Sequence, residues 1–111
     1  MKHNEFNENK KMYQEARDTD KAFLIGHNNV LEEIDSKKKY DLQELKSLVG
    51  GYIEIVYNLP MNKMMVINEE GKLSKLPYNF YATNLALFDH SIATDDYIAG
   101  NAVILNNSQI D

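Results

Sequence analysis

Few side chains in this 111-residue sequence have the type and spacing for chemistry. Its histidines are His3, His27 and His90, and it has no cysteine, which excludes disulfides, thiolate metal sites and cysteine nucleophiles. His3 belongs to a polar N-terminal stretch, and His27 stands among Gly26, Asn28 and Asn29 in a turn. His90 follows Asp89, so a carboxylate is positioned to orient an imidazole base. Such a pair in a polar loop is ordinarily just surface. No Gly-x-Ser-x-Gly elbow, His-Glu-x-x-His pair or phosphate-cradling loop is present. Three scattered histidines build no zinc site. Glu69 and Glu70 have only Asn68 as an obvious further oxygen donor, which suits a solvated turn better than a calcium loop. Asn79 and Thr83, four residues apart, fall on one face at the start of a predicted helix. Free N–H groups there favour an anion, although the plain alternative is a cap and a packed threonine.

The elements that must position these groups read as α+β. Ala22 to Ile25 and Val30 to Ile34 are short strands flanking turn residues, a hairpin pattern. Asp41 with Glu44 forms a capping box, Leu42, Leu45, Leu48 and Val49 form an apolar stripe, and Gly50-Gly51 supplies the stop. Together they predict a helix over Leu42 to Val49. Tyr52 to Tyr57 and Met64 to Ile67 are β-branched, aromatic or apolar and predict a second strand pair around Pro60. Gly71 is placed for a bulge needing positive φ, and Lys72 to Leu76 for a short edge strand. A helix is expected from Asn79, with Ala82, Leu85 and Ala86 inward. A last strand is expected across Tyr97 to Ala99 and Ala102 to Leu105. The fold class is therefore an antiparallel or mixed sheet of about five short strands with two helices, in the order ββαββαβ. Leu45, Ile53, Ile55, Val66 and Leu85 are its expected core.

Residues 1–20 form an arm or short helix with Phe6, Tyr13 and Ala16 on a thin apolar stripe, which docks on the domain or frays. Residues 21–106 are the single domain and 107–111 a polar tail. Met64 to Ile67 is apolar on both faces, which implies a sheet covered on both sides. Two short helices leave room for a partner subunit or a ligand, so a homo-oligomer, first of all a dimer, is expected.

Twelve basic against 17 acidic residues leave a net charge of −5, with Lys37-Lys38-Lys39 as the one basic run. Duplex nucleic acid is not an expected partner, because such partners need a basic face. Residues 1–20 lack a signal-peptide core, and no apolar stretch approaches a membrane span of about 20 residues. A soluble, cytoplasmic protein without membrane partners is expected. Lys, Asn and Ile are abundant, as AT-rich codons would give, so the 13 asparagines carry little functional weight.

Several segments match a known pattern in the right order. Leu48-Val49-Gly50-Gly51-Tyr52-Ile53-Glu54 resembles the opening signature of the family called domain of unknown function 3846. The likeness continues through Asn68 to Leu73, Leu76 to Thr83 and Ile98 to Val103, spanning roughly Lys21 to Leu105. The arm is extra to the family pattern, and the loop from Asp89 to Asp96 is long for it. The resemblance implies a setting in phages, plasmids and bacterial genomes, and it carries over no catalytic residues. Within the matched pattern, Tyr52, Glu54, Asn79, Thr83 and Asn101 are polar groups that folding does not fully account for. With Lys72 nearby as a point charge, they are the candidate lining of a pocket for a small polar, anionic or nucleotide ligand. No metal site and no cofactor are expected.

The function expected first is a non-catalytic small-ligand-binding protein of a phage or mobile element that sequesters a host nucleotide immune signal. The second is a protein-binding inhibitor or adaptor that offers a sheet edge or acidic face to a host protein. The third is a small nucleotide-processing enzyme using Asp89 and His90.

Overall fold

Asp41 and Gly50 bracket a helix as their chemistry dictates. The Asp41 carboxylate accepts the Glu44 N–H at 2.8 Å, and Gly50 takes the left-handed conformation (φ 81°) while its N–H donates to Lys46. The structure is a computed structural model that describes residues 3–88 and 90–111, with side chains over 8–88 and 90–111. Its elements are α1 (His3–Asp18), β1 (Ala22–Ile25), β2 (Leu31–Ile34), α2 (Leu42–Val49), β3 (Ile53–Leu59), β4 (Lys63–Asn68), α3 (Phe80–Phe88) and β5 (Ala102–Asn106). Single 3-10 turns fall at Pro60–Asn62 and Asn107–Gln109.

The sheet is antiparallel throughout, in the order β2-β1-β5-β4-β3. The β1–β2 and β3–β4 hairpins are thus joined through β5. Strand alternation sorts the apolar side chains onto two faces. Phe23, Ile25, Met65 and Ile104 face α1 and α3, which contribute Ala16, Ala82, Leu85 and Ala86. Ala22, Val66, Val103 and Leu105 face α2, which contributes Leu45 and Val49. Both faces are therefore covered from within the chain. The arm is the third helix, and it docks: Ala16 is fully buried, with Met12 and Tyr13 packed beside it. Phe6, expected on the same stripe, lies outside the described side chains.

Four local expectations need correction. The segment Lys72 to Leu76 is a succession of turns rather than an edge strand, with Ser74 N–H donating to Glu70 and Leu76 N–H to Gly71. Tyr97 to Ala99 makes only a single bridge, Ala99 to Tyr78, because Gly100 (φ 85°) breaks the run before β5. Gly71 needs space rather than a positive φ: a Cβ there would meet the Ala99 carbonyl oxygen at 2.7 Å. Ile53 and Ile55 are half-buried, since β3 is an edge strand, whereas Leu45, Val66 and Leu85 are core as expected. The tail is tied down as well. Gln109 is buried and donates to the carbonyls of Asp35 (2.8 Å) and Lys38 (3.0 Å).

Candidate functional site

A cleft of about 330 Å³ opens on the α1–α3 face of the sheet, at the β3–β4 end. Its floor is apolar, from Val56 on β3, Ile67 on β4, and Ile92 and Ile98 from the connection between α3 and β5. Charged groups stand at its rim: Glu54 on β3, Glu69 just past β4, Lys72 in the turns that follow, and Asp96 opposite. Two glycines let the walls close. Gly71 brings the turn against Ala99, and Gly100 packs where a Cβ would stand 2.8 Å from Leu76 Cδ1. Asn68 shapes the same turn, accepting the Glu70 N–H at 2.8 Å while donating to the Val49 carbonyl at the end of α2.

The electrostatics centre on Lys72. Its ammonium pairs with Asp96 and lies 4.9 Å from the centroid of the Tyr97 ring, an ion pair backed by a cation–π contact. Asp96 also accepts the Tyr97 N–H at 2.8 Å. The Lys72 hydrogen bond, helped by that N–H, holds the Asp96 carboxyl below the usual carboxylate range, and Asp96 in turn raises Lys72. Tyr78 packs at a tilt of 36° on Tyr97, with ring centroids 5.7 Å apart. Counting Glu54, Glu69 and Asp96 against Lys72, the rim is acidic.

The six residues singled out from the sequence do not converge. Glu54 and Lys72 share this cleft. Tyr52 is exposed on the surface beside α2, with the Lys46 ammonium 4.7 Å from its ring centroid. Asn79 is fully buried and committed to backbone: its Nδ2 donates to Ile25 (2.9 Å) and Gly100 (2.8 Å), and its Oδ1 accepts the Ala82 N–H at the start of α3. Thr83 is buried too, its Oγ1 accepting the Ile98 N–H at 2.9 Å. Neither presents a free group to an anion, so the cap-and-packing alternative is the correct one. Asn101 accepts the His27 N–H at 3.2 Å and lines a separate, shallower cleft of about 250 Å³ with Gly26, Asn28 and Glu32.

Sequence reasoning missed Asp96, Tyr97, Ile92 and Ile98. They sit in the connection between α3 and β5, which has no periodicity, and Asp96 and Tyr97 fall between the stretches that resemble the family pattern. The Asp89–His90 pair lies partly outside the described residues: His90 is exposed on a left-handed turn (φ 58°), and Asp89 is not described. Among the described residues no three His, Asp or Glu side chains gather to hold a metal ion. No described helix is long and apolar enough to cross a membrane.

The family model for a domain of unknown function, DUF3846, matches residues 21–110. The chain belongs to that family. No curated protein matches it, and no solved structure does. The DUF3846 match takes in the whole sheet, α2, α3 and every residue of the cleft, and it leaves out α1. In this chain, therefore, the DUF3846 domain carries an appended helix, which Lys63 on β4 engages by donating to Ala16.

Proposed function

We propose that this chain is a non-catalytic binding protein that holds a small ligand in the β3–β4 cleft, and that it serves a phage or other mobile element by sequestering that ligand. The observation that carries the reading is the composition of the cleft: an apolar floor, a tyrosine ring on one wall, and charged groups gathered at the rim. Charge of both signs beside an aromatic ring supports it, because the Lys72 ammonium and the Asp96 carboxylate stand together at the Tyr97 ring.

A host nucleotide signal is the ligand that the mobile-element setting suggests. The Tyr97 ring suits a base, whereas the carboxylates of Glu54, Glu69 and Asp96 oppose a phosphate at the rim. The part bound in the cleft is thus a planar or apolar moiety bearing hydrogen-bond donors or positive charge. The test is to denature the purified protein, identify released small molecules by mass spectrometry, and titrate the folded protein by calorimetry with nucleosides, linear and cyclic nucleotides, and aromatic amines. Binding that Asp96→Asn weakens while the fold persists supports the reading. No released molecule and no heat from any of these ligands removes it.

A further inference from the structure

The sheet has two edges, and they are treated differently. At one edge, β2 is four residues long, carries Glu32 and Glu33 exposed, and is packed by α1. Short length, charge and a covering helix are the ordinary protections of an edge strand. At the other edge, β3 is seven residues long and carries one charged side chain, Glu54, while α2 and α3 pack on its two faces and leave its outer backbone edge open. The Tyr52 carbonyl accepts the Glu69 N–H at 2.8 Å, so Tyr52, Glu54 and Val56 turn their backbone groups toward β4. Alternation then turns the N–H and C=O groups of Ile53 and Ile55 outward, to the side where β3 has no neighbouring strand. The register with β4 shifts only beyond Val56, between it and Leu59, where Asn58 takes φ 67°.

The side chains along this edge alternate in character. Ile53, Ile55 and Tyr57 form an apolar row on the α2 face, half-buried to exposed. Glu54 lies on the opposite face, at the rim of the acidic cleft with Glu69 and Asp96. A strand laid beside β3 has the same alternation imposed on it. One set of its side chains rests on the isoleucine row, and the other reaches Glu54 and the cleft rim, where Lys72 is already paired to Asp96. Positive charge on that second set is complementary. A second copy of this chain is not, since it would set one acidic rim and a net charge of −5 against another.

We propose that the β3 edge is a docking site for an extended segment of another protein, with alternating basic and apolar residues, which adds to the sheet as a sixth strand. Main-chain hydrogen bonds to Ile53 and Ile55 hold the segment, and Glu54 with the cleft rim selects its charge.

The probe is a labelled peptide, Lys-Val-Lys-Val-Lys-Val, read by fluorescence anisotropy against a blocked peptide, Lys-Lys-Lys-Val-Val-Val, and an acidic one, Glu-Val-Glu-Val-Glu-Val. The alternating basic peptide should bind, and the other two should bind at least about tenfold more weakly. Ile55→Pro removes an outward N–H that the β3–β4 ladder does not use, so it should abolish binding while the β signal in circular dichroism stays. If that variant does not fold, Glu54→Lys, at an exposed side chain, should still weaken the basic peptide about tenfold and strengthen the acidic one. Equal binding of the alternating and blocked peptides, or no binding of either, overturns the proposal. So does a wild-type dimer in light scattering that Ile55→Pro converts to monomer, because the occupant would then be a second copy.

Discussion

Lys63, at the start of β4, sends its ammonium through the buried layer beneath α1 to the carbonyl of Ala16, 2.8 Å away, and a second bond of 2.6 Å reaches the Lys21 carbonyl. Ala16 lies in the last turn of α1, where carbonyls lack helical partners and a positive charge complements the helix dipole. A lysine with no exposed surface thus closes the appended helix and the first residue of the family domain together. Lys63→Met keeps the volume and removes the donor, leaving two carbonyls short of partners at roughly 1–3 kcal/mol each. Hydrogen exchange should accelerate across residues 8–18 in this variant while β4 and β5 stay protected. Unchanged exchange in that helix would show that packing alone holds it.

Burial also pushes the Lys63 ammonium down to about 8, against the partial support of Asp20 and Asp18 nearby. In the unfolded chain the group titrates near its ordinary value, so between about pH 8 and 10 the unfolded state binds more protons. The sign follows directly: stability should rise with pH across this window, by no more than about 3 kcal/mol. The carbonyl bonds, which favour the charged form, reduce that figure. Urea midpoints measured from pH 7.5 to 10 should show the rise in the wild type and lose it in Lys63→Met. Parallel profiles for the two proteins would contradict the assignment.

Asn79 and Lys72 should separate stability from binding. Asn79→Ala strands the carbonyls of Ile25 and Gly100 and the Ala82 N–H in a buried site, so a loss of about 3 kcal/mol or more is expected in denaturant melts. Lys72→Ala removes an exposed pair worth less than about 1 kcal/mol and should leave the melt unchanged while altering what the cleft binds. The reverse pattern would return Asn79 to the list of ligand-facing residues.

Gly71→Ala tests the wall of the cleft. Its Cβ would overlap the Ala99 carbonyl, which is backbone and cannot swing away, so the 97–100 segment must shift. Gly50→Ala meets no atom within 4 Å and should cost only the left-handed conformation, about 1 kcal/mol. Amide chemical shifts should move at Tyr97 to Gly100 in the first variant and remain there in the second. Undisturbed shifts for Gly71→Ala would mean that the wall is not close-packed.

Legibility in the sequence followed the range of the signals. The second helix was readable because its signals are local: Asp41 and Glu44 cap one end, Gly50 stops the other, and the leucines keep helical spacing between them. The strand pair around Pro60 was readable from β-branched runs for the same reason. The cleft was not, because Asp96 and Tyr97 owe their role to Lys72, 24 residues earlier, and only the tertiary fold sets that pairing. Asn79 misled because a cap and an anion site need the same residue type, and the choice rests on how far Ile25 and Gly100 lie from its amide. Lys63 was invisible in principle: nothing local distinguishes a buried lysine beside a turn from a solvated one.

The central position of β5 sets a timetable for synthesis. Ala102–Asn106 is the last strand made, yet β1 and β4 have no ladder partner between them until it arrives. A nascent chain therefore holds two hairpins and three helices with no sheet to unite them, and neither hairpin alone is stable in water. Closure must wait for contacts that span most of the chain, which slows it relative to a fold built from neighbours. During that interval Met64 to Ile67 is uncovered on the side that β5 will take, as an apolar strand with its hydrogen-bonding edge open. A chain that has not yet placed β5, rather than the finished fold, leaves this strand open to aggregation and to chaperones.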